Sequence, residues 1–181
     1  MFTPRQYHTL ETSSYVVRIK LETAIPSDAD AISTLHTIAA QKLTEIHGNG
    51  PWSGETSEKW VLFVMRMAKV YVVRRRNEIV ATLALGTKKP WAIDKKYFSK
   101  CKNPVYLTAM AVAPELQRQG VGRLCIQAAE KNIKQWSADA IRLDAYDAAA
   151  GAGEFYRKCG FCEVGRASYR GVPLIYFEML I

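Results

Sequence analysis

Residues 105–123, VYLTAMAVAPELQRQGVGR, constrain the fold more than any other stretch of this chain. An apolar, strand-like run reaches Pro114, a turn with glycines at 120 and 122 follows, and the next dozen residues recur at helical spacing. A strand that feeds a glycine-containing turn and then a helix gathers backbone N–H groups at the helix's positive end, where a phosphate or pyrophosphate is held. Spacing separates the usual candidates. A Walker A loop, Gly-x-x-x-x-Gly-Lys-Ser/Thr, is absent. A dinucleotide fingerprint needs a third glycine where Cys125 stands, although Asp144 lies near that fold's ribose-ligand distance. What remains is Gln/Arg-x-x-Gly-x-Gly, running from Gln117, Arg118 and Gln119 through Gly120, Val121 and Gly122 to Arg123.

A second segment, Gly153-Glu-Phe-Tyr156-Arg-Lys-Cys-Gly160-Phe161, reads as a helix closed by Tyr-x-x-x-Gly-Phe. Between the two segments lie one helix's worth of residues and the strand-like Ala140–Tyr146. Toward the start, Val16–Leu21 alternates like an edge strand, and Ser27-Asp28-Ala29-Asp30 offers helix N-caps. In order and spacing the chain resembles the GNAT superfamily of acyl-CoA-dependent N-acetyltransferases over about residues 16–181. Only the loop and the Tyr-Gly-Phe segment are specific to it.

The resemblance implies an α+β fold. It is a single domain over 16–181 after a short appendage at 1–15, with a central mixed, largely antiparallel sheet of about six or seven strands and about four helices. It also implies acetyl-CoA as cosubstrate, its pyrophosphate held by Gln117, Arg118, Gln119, Gly120, Val121, Gly122 and Arg123. The family's strand before that loop is bulged and opens from its neighbour; Met110, Ala111 and Val112 occupy the stretch whose amides polarise the thioester. Tyr156 stands where the family places the phenol that protonates the departing thiolate. Many members carry an asparagine seven residues before that tyrosine, and here the position is Ala149. The acceptor is a primary amine, on a small molecule or a peptide, attacking directly within a ternary complex. Its base stays open among Glu45, His47, Asp144 and Asp147, each also suited to a solvated or capping role; Thr108 cannot serve at neutral pH. A non-catalytic acyl-CoA sensor on the same fold is the main alternative.

Composition bounds the rest. A chain of 181 residues, 49% hydrophobic and 23% charged, suits one soluble domain. No apolar run is long enough to span a bilayer, and the first fifteen residues lack a signal peptide's apolar core, so a cytoplasmic protein is expected. A net charge of +8 favours polyanions, coenzyme A among them, but no nucleic-acid-binding motif accompanies Arg74-Arg75-Arg76 or the lysine pairs. Cys159-Gly-Phe-Cys162 has C-x-x-C spacing without a second ligand pair, so no metal is expected. It would sit at a helix C-terminus, where the dipole raises rather than lowers a thiol pKa.

The remaining elements follow from periodicity and turn chemistry. One helix runs to about Ile46 and another over Ser57–Ala68. A hairpin pairs Lys69–Val73 with Ile79–Leu85, and Phe161–Ala167 and Leu174–Leu180 close the chain with an edge able to form a homodimer. The last helix starts no earlier than about Gly151. Gly86–Pro104 reads as a long irregular loop, either functional or partly ordered.

Overall fold

Arg76 and Asn77 both take positive φ, 50° and 71°. That is the geometry of a two-residue hairpin turn whose twist matches the strands it joins, and Asn tolerates it better than most residues. In the computed structural model, which describes residues 19–181, this turn links β2 (Lys69–Arg75) to β3 (Glu78–Gly86). Arg170 (φ 51°) and Gly171 (φ 81°) join β6 (Cys162–Tyr169) to β7 (Val172–Leu180) in the same way. Both hairpins run a residue or two beyond the boundaries that alternation alone predicts, because cross-strand pairing continues through exposed arginines.

The other strands are β1 (Glu22–Thr23), β4 (Pro104–Val112) and β5 (Ala140–Tyr146). Together they form one seven-stranded sheet in the order β1-β2-β3-β4-β5-β7-β6. Every neighbouring pair is antiparallel except β4–β5. The first strand is thus shorter and later than expected. It is fixed by pairing with Tyr71 and Val72, and residues 1–18, including the start of the predicted strand, lie outside the described residues.

Four helices flank the sheet. α1 (Ala29–His47) and α2 (Glu58–Met67) cover the face of β2 and β3 that carries Val70, Val72 and Ala84. Ser57 caps α2 by accepting a hydrogen bond from the Trp60 N–H. α3 (Val121–Lys134) and α4 (Gly153–Lys158) lie on the opposite face. There Cys125, Ile126, Ala129 and Ile133 of α3 meet Leu83, Leu107, Ile141, Leu143 and Phe177. No helix among the described residues is long and apolar enough to cross a membrane.

Residues 87–103 are irregular in backbone apart from one short 3-10 turn at Lys95–Tyr97, yet they are packed. Ile93 and Phe98 bury against Tyr106, Leu174 and Tyr176, making a third apolar cluster. The segment is tied down electrostatically as well. Arg142 and Glu178, both 4% exposed, pair at 2.8 Å across β5 and β7. Arg142 also donates to the Ser99 carbonyl, and the Ser99 N–H donates to Glu178. This stretch is therefore ordered cover for one face of the sheet.

Candidate active site

The site begins where the sheet comes apart. β4 and β5 are paired only from Pro104–Tyr106 to Ala140–Arg142, and beyond those residues the strands diverge. On its other edge β4 stays with β3 but slips register, so that Leu83 opposes both Ala109 and Met110. Ala109 sits at φ 49°, an uncommon conformation for a residue with a Cβ and the signature of a bulge that re-aims the strand. Past the bulge, the Ala113 N–H donates to Val80 O at 2.9 Å. Strand alternation then turns the backbone of Ala111 toward β3 and that of Met110 and Val112 toward the opening. Of the three adjacent amides expected there, the register directs two into the gap.

The turn after β4 is held by its own side chains. The Gln117 amide donates to Val112 O at 3.0 Å, and the Gln119 amide to Glu115 O at 2.6 Å. Arg118 (φ 59°) and Gly120 (φ 83°) are both left-handed, which coils the backbone tightly into the first turn of α3. Gly120 is the N-cap and supplies no side chain to the helix's free N–H groups, leaving that positive end for an anion. A Cβ on Gly120 would meet nothing within 4 Å, so its positive φ is what calls for glycine. Gly122 is needed for a different reason. A Cβ there would lie 3.1 Å from the Phe155 ring, which packs against the helix at that point. Arg118, Gln119 and Arg123 are exposed, and neither arginine has a salt-bridge partner among the described residues.

α4 brings Tyr156 to the same place from the side of the later strands. The helix stops at Cys159 because Gly160 takes φ 96° and the Phe161 N–H turns back to Tyr156 O at 3.1 Å. Tyr156 is buried among Phe155, Phe161 and Phe177, with ring centroids 5.1, 5.6 and 5.9 Å away. Burial, reinforced by the charge of Asp144 and by Cys159, holds its phenol above the ordinary value. The group keeps its proton at physiological pH and can act only as a donor. The thiols behave as their place in the fold predicts: Cys159 lies at the C-terminal end of α4, and burial raises its pKa. Ala149 is exposed in the turn before α4.

The acidic and basic candidates separate clearly. Glu45 is exposed and paired with Lys42 at 2.9 Å, and His47 is exposed at the end of α1. Asp147 is engaged by Arg166 at 2.8 Å. Asp144, half-buried on β5 just beyond the last β4–β5 pair, has its pKa raised by burial. Sequence reasoning missed two neighbours of Asp144, Tyr146 and Tyr176. The alternation Arg142, Asp144, Tyr146 in an otherwise apolar strand is the signal that marks this face as polar. The Tyr146 hydroxyl donates to Pro51 O at 3.1 Å, and its ring meets Trp52 edge-on at 6.0 Å, so the α1–α2 connection forms a wall beside it.

Comparison with known proteins agrees with this geometry. The acetyltransferase (GNAT) family model matches residues 37–161, more than half of the chain. Among solved structures, a GNAT-family acetyltransferase from Listeria monocytogenes aligns with a TM-score of 0.69 at 19% identity, over 90% of this chain and 95% of that one. The ribosomal-protein-S18-alanine N-acetyltransferase of Escherichia coli aligns at 0.65 and 16%, over 90% and 94%. A putative acetyltransferase from Salmonella typhimurium, solved with acetyl-CoA, aligns at 0.62 and 14%, over 90% and 94%. At such identities the likeness is one of fold. No curated protein sequence matches. By the family match, with the split strand pair, the coiled loop and the Tyr-Gly-Phe helix end in place, this chain belongs to the GNAT acetyltransferase family.

Proposed function

We infer that this protein transfers the acetyl group of acetyl-CoA to a primary amine by direct attack. The observation that carries the reading is the opening between β4 and β5, which has backbone groups of Met110 and Val112 on one side and the proton-bearing Tyr156 on the other. The residues present fit the cosubstrate. The coiled turn at Gln117–Gly120, the side-chain-free start of α3, and Arg118 and Arg123 suit a pyrophosphate, with Val121 and Gly122 forming the first helical turn beneath it. The strand edge suits an extended amide-bearing chain. Acetyl-CoA would supply an activated acyl thioester.

The protein's own groups divide the remaining work. Amides aimed into the opening are fixed donors, able to stabilise an oxyanion without reorganising. Tyr156 holds a proton at Oη beside them, shielded by three phenyl rings that exclude water. A general acid so placed typically contributes roughly 100- to 10,000-fold. The acceptor reaches the opening past the α1–α2 connection, the 87–103 segment and the β6–β7 turn, and it is a small molecule or a peptide.

Thermal denaturation with acetyl-CoA, CoA, NAD and ATP, followed by thiol release with and without amines, tests this. A ligand at about 100 times its Kd stabilises by roughly 2.7 kcal/mol, about 5–10 °C for a chain of this size. Acetyl-CoA and CoA should shift the midpoint, NAD and ATP should not, and thiol release should require an amine. No shift with either acyl carrier overturns the assignment. A shift without amine-dependent release leaves a sensor of acyl-CoA.

A further inference from the structure

Asp144 is a carboxyl group without a counter-ion. The even-numbered residues of β5, namely Arg142, Asp144 and Tyr146, share one face of the sheet with Tyr176 and Glu178 of β7. Arg142 is engaged by Glu178 and Ser99. The guanidinium groups of adjoining elements are taken too, Arg157 by Glu163 and Arg166 by Asp147 and Glu163. Asp144 forms no ion pair and no hydrogen bond with another residue's side chain among those described. Around it stand three tyrosines from three elements, Tyr146 on β5, Tyr176 on β7 and Tyr156 on α4, each close enough to feel its charge. All three phenols are held above their ordinary value by burial and stay neutral. Tyr176 also lines a cavity of about 350 Å³ with Trp91, Tyr97 and Tyr169, which offers apolar footing on the same face.

A desolvated carboxylate gains most from an opposite charge brought to it, and tyrosine faces attract cations. We propose that Asp144 binds the acceptor as an alkylammonium ion and takes its proton, so that the enzyme selects amines that are charged at neutral pH. This rests on the acetyl-transfer reading above. The first proton passes from nitrogen to the Asp144 carboxylate, and from there to solvent. The freed electron pair forms the bond to the acyl carbon, and the carbon–sulfur bond breaks with its pair on sulfur. Sulfur takes the Tyr156 proton, and the second proton lost by nitrogen restores the phenol.

The test compares wild-type protein with Asp144→Asn on two amines of similar size: 2-phenylethylamine, an ammonium ion at pH 7, and 4-ethylaniline, already neutral there. For the alkylamine, kcat/KM should fall about 100- to 10,000-fold in the variant. It should then recover about tenfold per pH unit as free amine forms. The arylamine needs no base and should change less than about threefold. Without acetyl-CoA, 2-phenylethylammonium should raise the thermal midpoint of wild-type protein and not of the variant. CoA should stabilise both, showing that the fold and the acyl-carrier site are intact. Failure of CoA to stabilise the wild type sinks the acetyl-transfer reading itself. With CoA binding intact, three results overturn Asp144 alone: equal losses for both amines, no loss for either, or wild-type turnover of neither. A variant that no longer responds to CoA assigns Asp144 to the frame and overturns the proposal as well.

Discussion

Replacing Glu178 with alanine should destabilise this protein more than a typical core truncation. The reason is the charge left behind. Arg142 is 4% exposed, and its guanidinium has the Glu178 carboxylate at 2.8 Å, the Ser99 carbonyl, and the face of Phe98 at 5.0 Å. Deleting the carboxylate strands a buried cation with one neutral oxygen and one ring. Breaking a buried pair in this way costs about 3–5 kcal/mol. That is a large share of the roughly 5–15 kcal/mol that holds a domain together. In a chain of this length it lowers the thermal midpoint by about 6–20 °C. The companion variant removes both charges, Arg142→Met with Glu178→Leu. Ser99 is exposed, so water can satisfy its backbone, and the doubly apolar protein should match the wild type or exceed it by about 1–4 kcal/mol. Thermal and urea denaturation of the three proteins measure both effects. A drop below about 2 °C for Glu178→Ala, or a double variant as weak as the single one, would refute the argument from uncompensated charge.

Tyr156→Phe should leave CoA-induced stabilisation unchanged and reduce turnover by roughly 100- to 10,000-fold; unaltered turnover under conditions where chemistry limits would remove the phenol from the mechanism. His36, packed edge-on against Trp60 at 5.6 Å with Nε2 buried and unpartnered, has its pKa lowered by burial from 6.5 to about 4. Its neutral form therefore supports the fold fully above 6.5, and that support is lost as pH falls toward 4, where the unfolded chain binds a proton that the folded one refuses. The loss approaches 3 kcal/mol, as an order of magnitude, and His36→Phe should flatten the stability profile across that window, read by urea denaturation at several pH values. Asp28 shows the opposite balance. Burial would raise its pKa, but hydrogen bonds from Arg74 at 2.7 Å and the Ile25 N–H at 3.0 Å outweigh it, and the pKa is lowered. Asp28→Asn should cost about 1–2 kcal/mol at pH 7, a deficit that vanishes as pH falls from 3.8 through the lower folded value and the native carboxylate protonates.

Sequence legibility followed the range of the forces involved. Helix caps, the Asn77 turn and the Gly160 stop are local, and they were readable because each is written in one or two residues with a conformational preference. The bulge at Ala109 carries no such signal: alanine has no bias toward positive φ, and only the family resemblance suggested a bulged strand there. The 87–103 segment reads as an irregular polar stretch because its anchors, Ile93 and Phe98, follow neither helical nor strand spacing. Their burial is decided by Tyr106 and Tyr176, which come from distant strands. Asp144, Asp147, Glu45 and His47 looked alike as sequence. What separates them is whether a partner from another element, Arg166 or Lys42, arrives to engage the charge.

The short β4–β5 ladder has a consequence for how the molecule breathes. Three residue pairs join two antiparallel sheets, β1 to β4 and β5 to β7, which are otherwise continuous within themselves. The seam between them is closed by side chains, with Leu107 and Val105 on one side, Ile141 and Leu143 on the other, and α3 laid across. Such a molecule should exchange its amide hydrogens as two cooperative blocks meeting along an oily hinge. A ligand that bridges the seam would act as a rivet, slowing exchange in both blocks at once.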